Sequence, residues 1–281
     1  MKLLDKHSED STTKLLFLLD DSSKIETVVI PQKTTVSICV STQVGCPVGC
    51  RFCKSGTFFK RNLTADEIVS QIDSALRLFP LGEKRLSIVF MGIGEPLLNL
   101  DNLVNVIGRL CVERKDRISK RRITVSTVGI PAGIIALAER TKSIIDTDNA
   151  TVNLAVSLHF TTDTVRKKYI PVAYPISDIL FACAEFQSLG SKKQSIMFEY
   201  IMLSGVNDSA VDIERLVSLI KKYGLRAIVN LIPYNGGEFK STPDEKIKEY
   251  KQMIIKSGIK CFIRLSRGTG IDAACGMLAS K

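Results

Sequence analysis

The sequence predicts an α/β chain built as a partial (βα)6 barrel with an N-terminal β-hairpin extension. Three observations predict it. From residue 36 onward, short β-branched runs alternate with amphipathic stretches of helical period, the pattern of a parallel sheet with right-handed crossovers. Six such units occur, fewer than a closed eightfold barrel needs. Polar, glycine and cysteine residues gather where the strands end: the cysteine loop, Gly94–Glu95, Ser126, Ser157–Leu158–His159 and Asn235. In such folds the site is built at that end. The expected division is a hairpin extension over 1–36 and a barrel with its C-terminal tail over 37–281.

Residues 14 to 31 read as two strands around the polar turn Asp20–Asp21–Ser22–Ser23. Glu26 lies in the second and reads, by itself, as a solvent-facing strand residue. Val36 to Val40 is a strand that runs into the cysteine loop. The following helix starts at Thr64, where Glu67 completes a capping box, and Ile68, Ile72, Ala75, Leu76 and Phe79 mark one face. Leu86 to Met91, Ile123 to Ser126, Val152 to Leu158, Ile196 to Leu203 and Ile228 to Pro233 are the next strands. Helices around Leu103–Cys111, Ile134–Ala138, Asp178–Leu189 and Ser209–Tyr223 separate them. Gly190 and Gly224 close two of these helices. A last helix opens with Thr242, Pro243 and Glu245 as a second capping box, and a strand over Ile259 to Leu265 leads to the tail. The Asn235–Ser241 loop, with two glycines, is expected to be mobile over the site.

Half of the eight cysteines fall between Cys39 and Cys53. Cys46, Cys50 and Cys53 form a C-x3-C-x2-C run, and thiolates are soft metal ligands. Two readings stand. A structural zinc site would use four thiolates, with Cys39 as the fourth, but zinc sites pair two short cysteine knuckles and no second pair follows. A [4Fe–4S] cluster held by three cysteines would leave one iron open. Gly92-x-Gly94 lacks the third glycine and the later acidic residue of a dinucleotide fingerprint, and Pro96 interrupts it. Cys111, Cys183 and Cys261 occupy apolar positions and read as packing residues. Cys275 differs, in a glycine-containing tail beyond the last strand from which an exposed thiol could reach over the site. His159 alone reads as a structural histidine.

The net charge of +10 with runs such as Lys115 to Arg122 suits a polyanionic partner or a lysine-rich surface. The absence of Trp argues against a stacking platform for single strands. No run approaches a membrane span and the N-terminus has no apolar signal core, so a cytoplasmic protein with no membrane contact is expected.

Taken together, Cys39-VSTQVG-Cys46-x3-Cys50-x2-Cys53, KRNLTADEIVSQ, FMGIGEPLLN, TVSTVG, AVSLH, EYIML-x-GVND, NLIPYN and RGTGIDAACGMLA resemble, in order, the RlmN/Cfr family. These are radical S-adenosylmethionine enzymes that methylate an adenine carbon of ribosomal RNA and, in RlmN members, of transfer RNA. The resemblance implies a radical-SAM barrel with one [4Fe–4S] cluster on Cys46, Cys50 and Cys53, and two S-adenosylmethionine molecules used per turnover. It implies cofactor contacts from Gly94, Glu95, Ser126, Ser157, Leu158, His159 and Asn235. It makes Cys275 an S-methylcysteine intermediate, Cys39 the thiol that resolves it through a transient disulfide, and Glu26 the acceptor of the ring proton.

An external electron donor such as flavodoxin or ferredoxin, an RNA substrate and a monomer are also implied. Family members carry a further small N-terminal domain, and this chain begins almost at the hairpin before Glu26, so a shortened form is expected. GEPLLN leans toward the C2-directed branch. The alternatives are adenine C8 methylation, the same chemistry on another substrate, or a basic RNA-binding module with a structural metal.

Overall fold

The computed structural model describes residues 1–113, 118–144, 151–191, 194–264, 268–274 and 276–278. Three antiparallel strands open the chain: β1 (Lys2–Glu9), β2 (Thr12–Leu18) and β3 (Lys24–Pro31). The second and third are the expected hairpin. Its turn is fixed by the Asp21 carboxylate, which accepts from the Ser23 N–H at 3.1 Å and its hydroxyl at 2.9 Å. Strand alternation sends Leu15, Phe17, Ile25 and Val29 into the main core and leaves Lys14, Leu16, Glu26 and Val28 on the other face. Strand β1 adds to the expected pair. It is almost wholly exposed and carries mixed charge, so no apolar alternation announces it, and backbone pairing with β2 holds it as an edge.

Strand β4 (Thr35–Cys39) pairs antiparallel with β3 and enters the loop of a small hairpin, β5 (Gln43–Gly45) and β6 (Phe59–Asn62). The alternation then runs α1 (Ala65–Leu78), β7 (Arg85–Phe90), α2 (Leu100–Glu113), β8 (Ile123–Thr127), α3 (Pro131–Lys142), β9 (Asn153–Ser157), α4 (Asp163–Tyr169) and α5 (Ile176–Leu189). It ends with β10 (Ile196–Met202), α6 (Ala210–Lys222), β11 (Ala227–Pro233), α7 (Asp244–Lys256) and β12 (Lys260–Ile263). Apart from the β5–β6 hairpin, the described strands form one ten-stranded sheet in the order β1-β2-β3-β4-β7-β8-β9-β10-β11-β12, parallel from β4 onward. This is an open partial barrel, and residues 1–36 continue its sheet at one side.

The core lies between the sheet and the helices. Helix α1 inserts Ile68, Ile72 and Ala75, all fully buried, and burying a side chain of the Ile or Leu kind is worth roughly 2 kcal/mol. Its capping box forms as expected: Thr64 Oγ1 accepts from Glu67 N–H at 3.2 Å, and Glu67 Oε2 from Thr64 N–H at 2.9 Å. The second expected capping box does not form. Helix α7 has Pro243 at its N-cap with no side-chain cap. The Thr242 hydroxyl instead donates to Asp208 Oδ2 at 3.1 Å, a buried carboxylate that also takes Lys246 at 3.1 Å. A tertiary partner has outbid the local one.

Candidate active site

The β5–β6 hairpin carries the three-cysteine loop. Cys46 N–H donates to Phe58 O at 2.8 Å and Cys53 N–H to Cys50 O at 3.0 Å. Gly45 must be glycine: its φ is +75°, and a Cβ there would overlap the Phe58 carbonyl. Cys46, Cys50 and Cys53 all line one cavity at the C-terminal ends of the parallel strands. Burial pushes the Cys46 thiol up to about 12, with Glu95 and Cys53 adding to it. Burial raises Cys50 as well, and Cys53, Cys46 and Glu95 repel its thiolate. Cys46 and Cys50, thiols that resist ionising with Cys53 beside them, call for a cation among the three. Among the described residues no three ligand side chains close on a point as the ligands of a single ion would. Thiols spread around one cavity fit a multi-iron cluster with a ligand at each of three corners.

Across the cavity, Glu95 follows β7. Its carboxylate is buried and accepts from Leu97 N–H at 3.0 Å and Val128 N–H at 2.7 Å, while its own N–H donates to Gln43 Oε1 at 2.8 Å. Burial, only partly offset by those bonds, raises its pKa to about 7. Gly94 holds φ +110° in the turn before it, and a Cβ would lie 2.7 Å from that of Gln43. Glycine is required there by the close approach of Gln43, whose side chain in turn orients Glu95. Ser126 and Ser157 line the same cavity at the ends of β8 and β9.

His159 follows in left-handed conformation, φ 60°. Its Nδ1 accepts from Ile201 N–H at 3.1 Å, and Phe52 of the cysteine loop meets its ring edge-on. Burial first, and then the nearby Arg166, hold its pKa down at about 3. The folded state therefore binds fewer protons than the unfolded state below pH 6.5, so the stability His159 supplies is complete above that value and falls as pH drops toward 3. At pH 5 the linked loss is about 2 kcal/mol. His159→Gln should therefore lose about that much less stability than the wild type between pH 7 and pH 5, measured by denaturant unfolding. Equal losses would refute the assignment.

Glu26 is buried rather than solvent-facing, which corrects the reading of that residue from its strand alone. The tail covers its face of the sheet, and Lys14 Nζ lies 3.3 Å from its Oε1. Val28, on the same face, is paired with Cys39, and Cys39 with Val89. Cys39 and Val28 pack with Ile93, Ala273 and Leu278. The three loop cysteines pack in a different apolar group, around Phe52, Phe160 and Tyr169. Cys275 lies outside the described residues, but the chain on both sides of it is docked. Gly270 N–H donates to Glu9 at 2.9 Å, Asp272 meets Lys54 at 2.9 Å, Gly276 O accepts from Lys54 N–H at 2.8 Å, and Leu278 O from the Ser55 hydroxyl at 2.6 Å. Gly276 itself lines the cavity.

Two expected residues do not line it. Leu158 is core, and it presents its carbonyl to Arg166. The Asn235 amide donates to Pro233 O at 3.2 Å. The loop after it is packed by Phe239 against Tyr169 and Tyr234. Thr127, Val128, Glu199 and Arg264 line the cavity instead. Glu199 is buried, takes Asn230 Nδ2 at 2.8 Å and faces Arg264 at 3.3 Å. Sequence gave one usable signal for this pair: both charges stand in or beside strands that otherwise read as apolar.

A family model of the Radical SAM superfamily matches residues 40–220. A probable dual-specificity RNA methyltransferase RlmN of Thermotoga neapolitana is 41% identical over all of this chain and 80% of its own length. The dual-specificity RNA methyltransferase RlmN of Geobacter sulfurreducens is 41% identical over 98% of this chain and 73% of its own length. The crystal structure of a radical SAM methyltransferase from Sphaerobacter thermophilus superposes with a TM-score of 0.90 at 36% identity, covering 100% of this chain and 81% of that one. With those matches and a cysteine-lined cavity at the strand ends of a partial barrel, the chain belongs to the RlmN family of radical S-adenosylmethionine RNA methyltransferases.

Proposed function

We propose that the protein methylates C2 of an adenine in ribosomal or transfer RNA, with Cys275 as the methyl carrier. The observation that carries this reading is the docking of the tail. Residues on either side of Cys275 pack against Cys39 and hydrogen-bond the cysteine loop, so the tail bridges a buried thiol and the cavity. Cys46, Cys50 and Cys53 would hold the [4Fe–4S] cluster, which together with S-adenosylmethionine would supply the hydrogen-abstracting radical that methylation of an unreactive ring carbon requires. Gly94, Glu95, Ser126, Ser157 and His159 shape the S-adenosylmethionine side of the cavity. Glu95 also fixes the Val128 and Leu97 backbone, and Leu158 and Asn235 contribute through the loops they terminate.

The Cys275 sulfur would take the methyl group from one S-adenosylmethionine, with S-adenosylhomocysteine leaving. Once that S-methyl has lost a hydrogen atom, its carbon would bond to the adenine carbon, and Glu26 would take the ring proton. The Cys39 thiolate would then attack the Cys275 sulfur and break its bond to the transferred carbon, with the odd electron returned to the cluster, so product release leaves a disulfide for an external reductant. Glu26 and Cys39 share the sheet face that the tail covers, as this sequence of steps needs.

Nucleoside analysis of RNA treated with reconstituted enzyme should show 2-methyladenosine, and mass spectrometry of the purified protein should show a methyl group on Cys275. 8-Methyladenosine would overturn the regiochemistry, and an active enzyme never methylated at Cys275 would overturn the carrier role.

A further inference from the structure

Arg166 is among the largest side chains in the protein that are fully buried. It sits midway along α4, and its fork is spent on backbone carbonyls. Nε donates to Leu158 O at 3.1 Å, Nη1 to Tyr174 O at 3.2 Å, and Nη2 to Val128 O and, at 3.4 Å, to Ser157 O. Val128 and Ser157 end two neighbouring strands and line the cavity. A guanidinium has five N–H groups in a rigid plane, so one side chain can tie several loops at fixed spacing.

Carbonyls satisfy its hydrogens but bring no full charge. Among the described residues no carboxylate lies within ion-pair distance of Arg166; burial works against its charge, and Asp163, one turn earlier in α4, favours it from farther off. A buried cation without a close counter-ion is costly. The cysteine loop lies on its other side. Helix α4 rests on the cysteine loop: Arg51 N–H donates to Tyr169 O at 3.0 Å, and Cys46, Cys50 and Cys53 pack in the same group as Tyr169.

We propose that Arg166 is a positioning residue that acts on the cluster as a fixed buried cation, offsetting its negative charge and raising its reduction potential, while its fork holds the strand ends around the cavity. This rests on the assignment of the cluster to Cys46, Cys50 and Cys53. A cluster held by three thiolates is anionic and becomes more so when it gains an electron. A nearby positive charge in a medium of low dielectric favours the reduced state. Arginine suits the task because its planar fork ties several carbonyls at once; a lysine there would be held charged by the anionic cluster but would lose most of those bonds.

The test is a reductive titration of the anaerobically reconstituted protein, with the midpoint potential followed by EPR and iron counted in the same samples. Arg166→Gln should bind iron at the wild-type level and show a lower midpoint potential, and Arg166→Lys should stay near the wild type. Full iron with an unmoved potential in Arg166→Gln overturns the proposal. Should Arg166→Gln not take up iron, Arg166→Lys decides: an unchanged potential supports a role for the charge, and a fall despite the retained charge overturns it. A wild-type protein that takes up no iron would instead remove the cluster assignment itself.

Discussion

Cys50→Ala is expected to lose its iron and to cleave S-adenosylmethionine no faster than background, and Cys46→Ala and Cys53→Ala should do the same. The loss should exceed the roughly 10–100-fold that removing an outer-shell partner costs at a metal site. The three thiols are not spares for one another. Each leaves the loop at a different point of a backbone that is pinned by Cys46 N–H on Phe58 O and Cys53 N–H on Cys50 O, so a neighbour cannot swing in to replace a missing ligand. The informative control is Cys183→Ala. Cys183 is fully buried in α5, and burial raises its thiol well above the ordinary range. It packs and does nothing more, so its removal should cost stability through a small cavity and leave iron stoichiometry intact. Iron and sulfide assays with 5′-deoxyadenosine quantification read both outcomes. Normal iron in Cys50→Ala, or a single equivalent of zinc in the wild type, would sink the cluster assignment.

The contrast between Cys50 and Cys183 also shows what could be read from the chain. Spacing separates them: C-x3-C-x2-C has no packing rationale, whereas a lone cysteine on the apolar face of a helix does. The βα alternation is legible for the same reason, because the central strands read as apolar runs and each helix as a face. Strand β1 was not, since its residues are exposed and only its hydrogen bonds make it a strand. Thr242 was misread because its capping pattern is local while its real partner, Asp208, lies 34 residues away. Arg166 stood in a basic run that reads as surface, and nothing in one dimension distinguishes it from Lys167 and Lys168, which are exposed. The burial of Glu26 was hidden likewise. Its cover is the tail, which arrives from the far end of the chain. Local pattern announces local structure, and charges buried by long-range contacts have no local pattern.

Cys39→Ala should bind iron at the wild-type level and yet release no methylated RNA, with at most about one RNA per chain left bonded through the transferred carbon to the Cys275 sulfur, since the step proposed for Cys39 comes after that carbon has reached the base. Sequence proximity suggests the opposite, because Cys39 stands only seven residues before Cys46 and is the natural fourth ligand of a zinc site. The fold separates them. Cys39 ends β4, facing Val28 on one side and Val89 on the other, and packs under Ala273 and Leu278. The other three follow β5 and pack against Phe52, Phe160 and Tyr169. Because β5 pairs with β6 and not with the main sheet, the chain leaves the Cys39 face before the first ligand appears. A thiol buried to this degree is poorly placed for solvent oxidants but well placed for a tail thiol lowered onto the same sheet face. Iron content and single-turnover yield, measured together, decide the matter. If Cys39→Ala loses iron in step with activity, the four cysteines form one metal site and the tail has no partner thiol. If iron is retained and turnover stops, the loop holds two separate devices: three ligands for a cluster, and one strand thiol reserved for the last step.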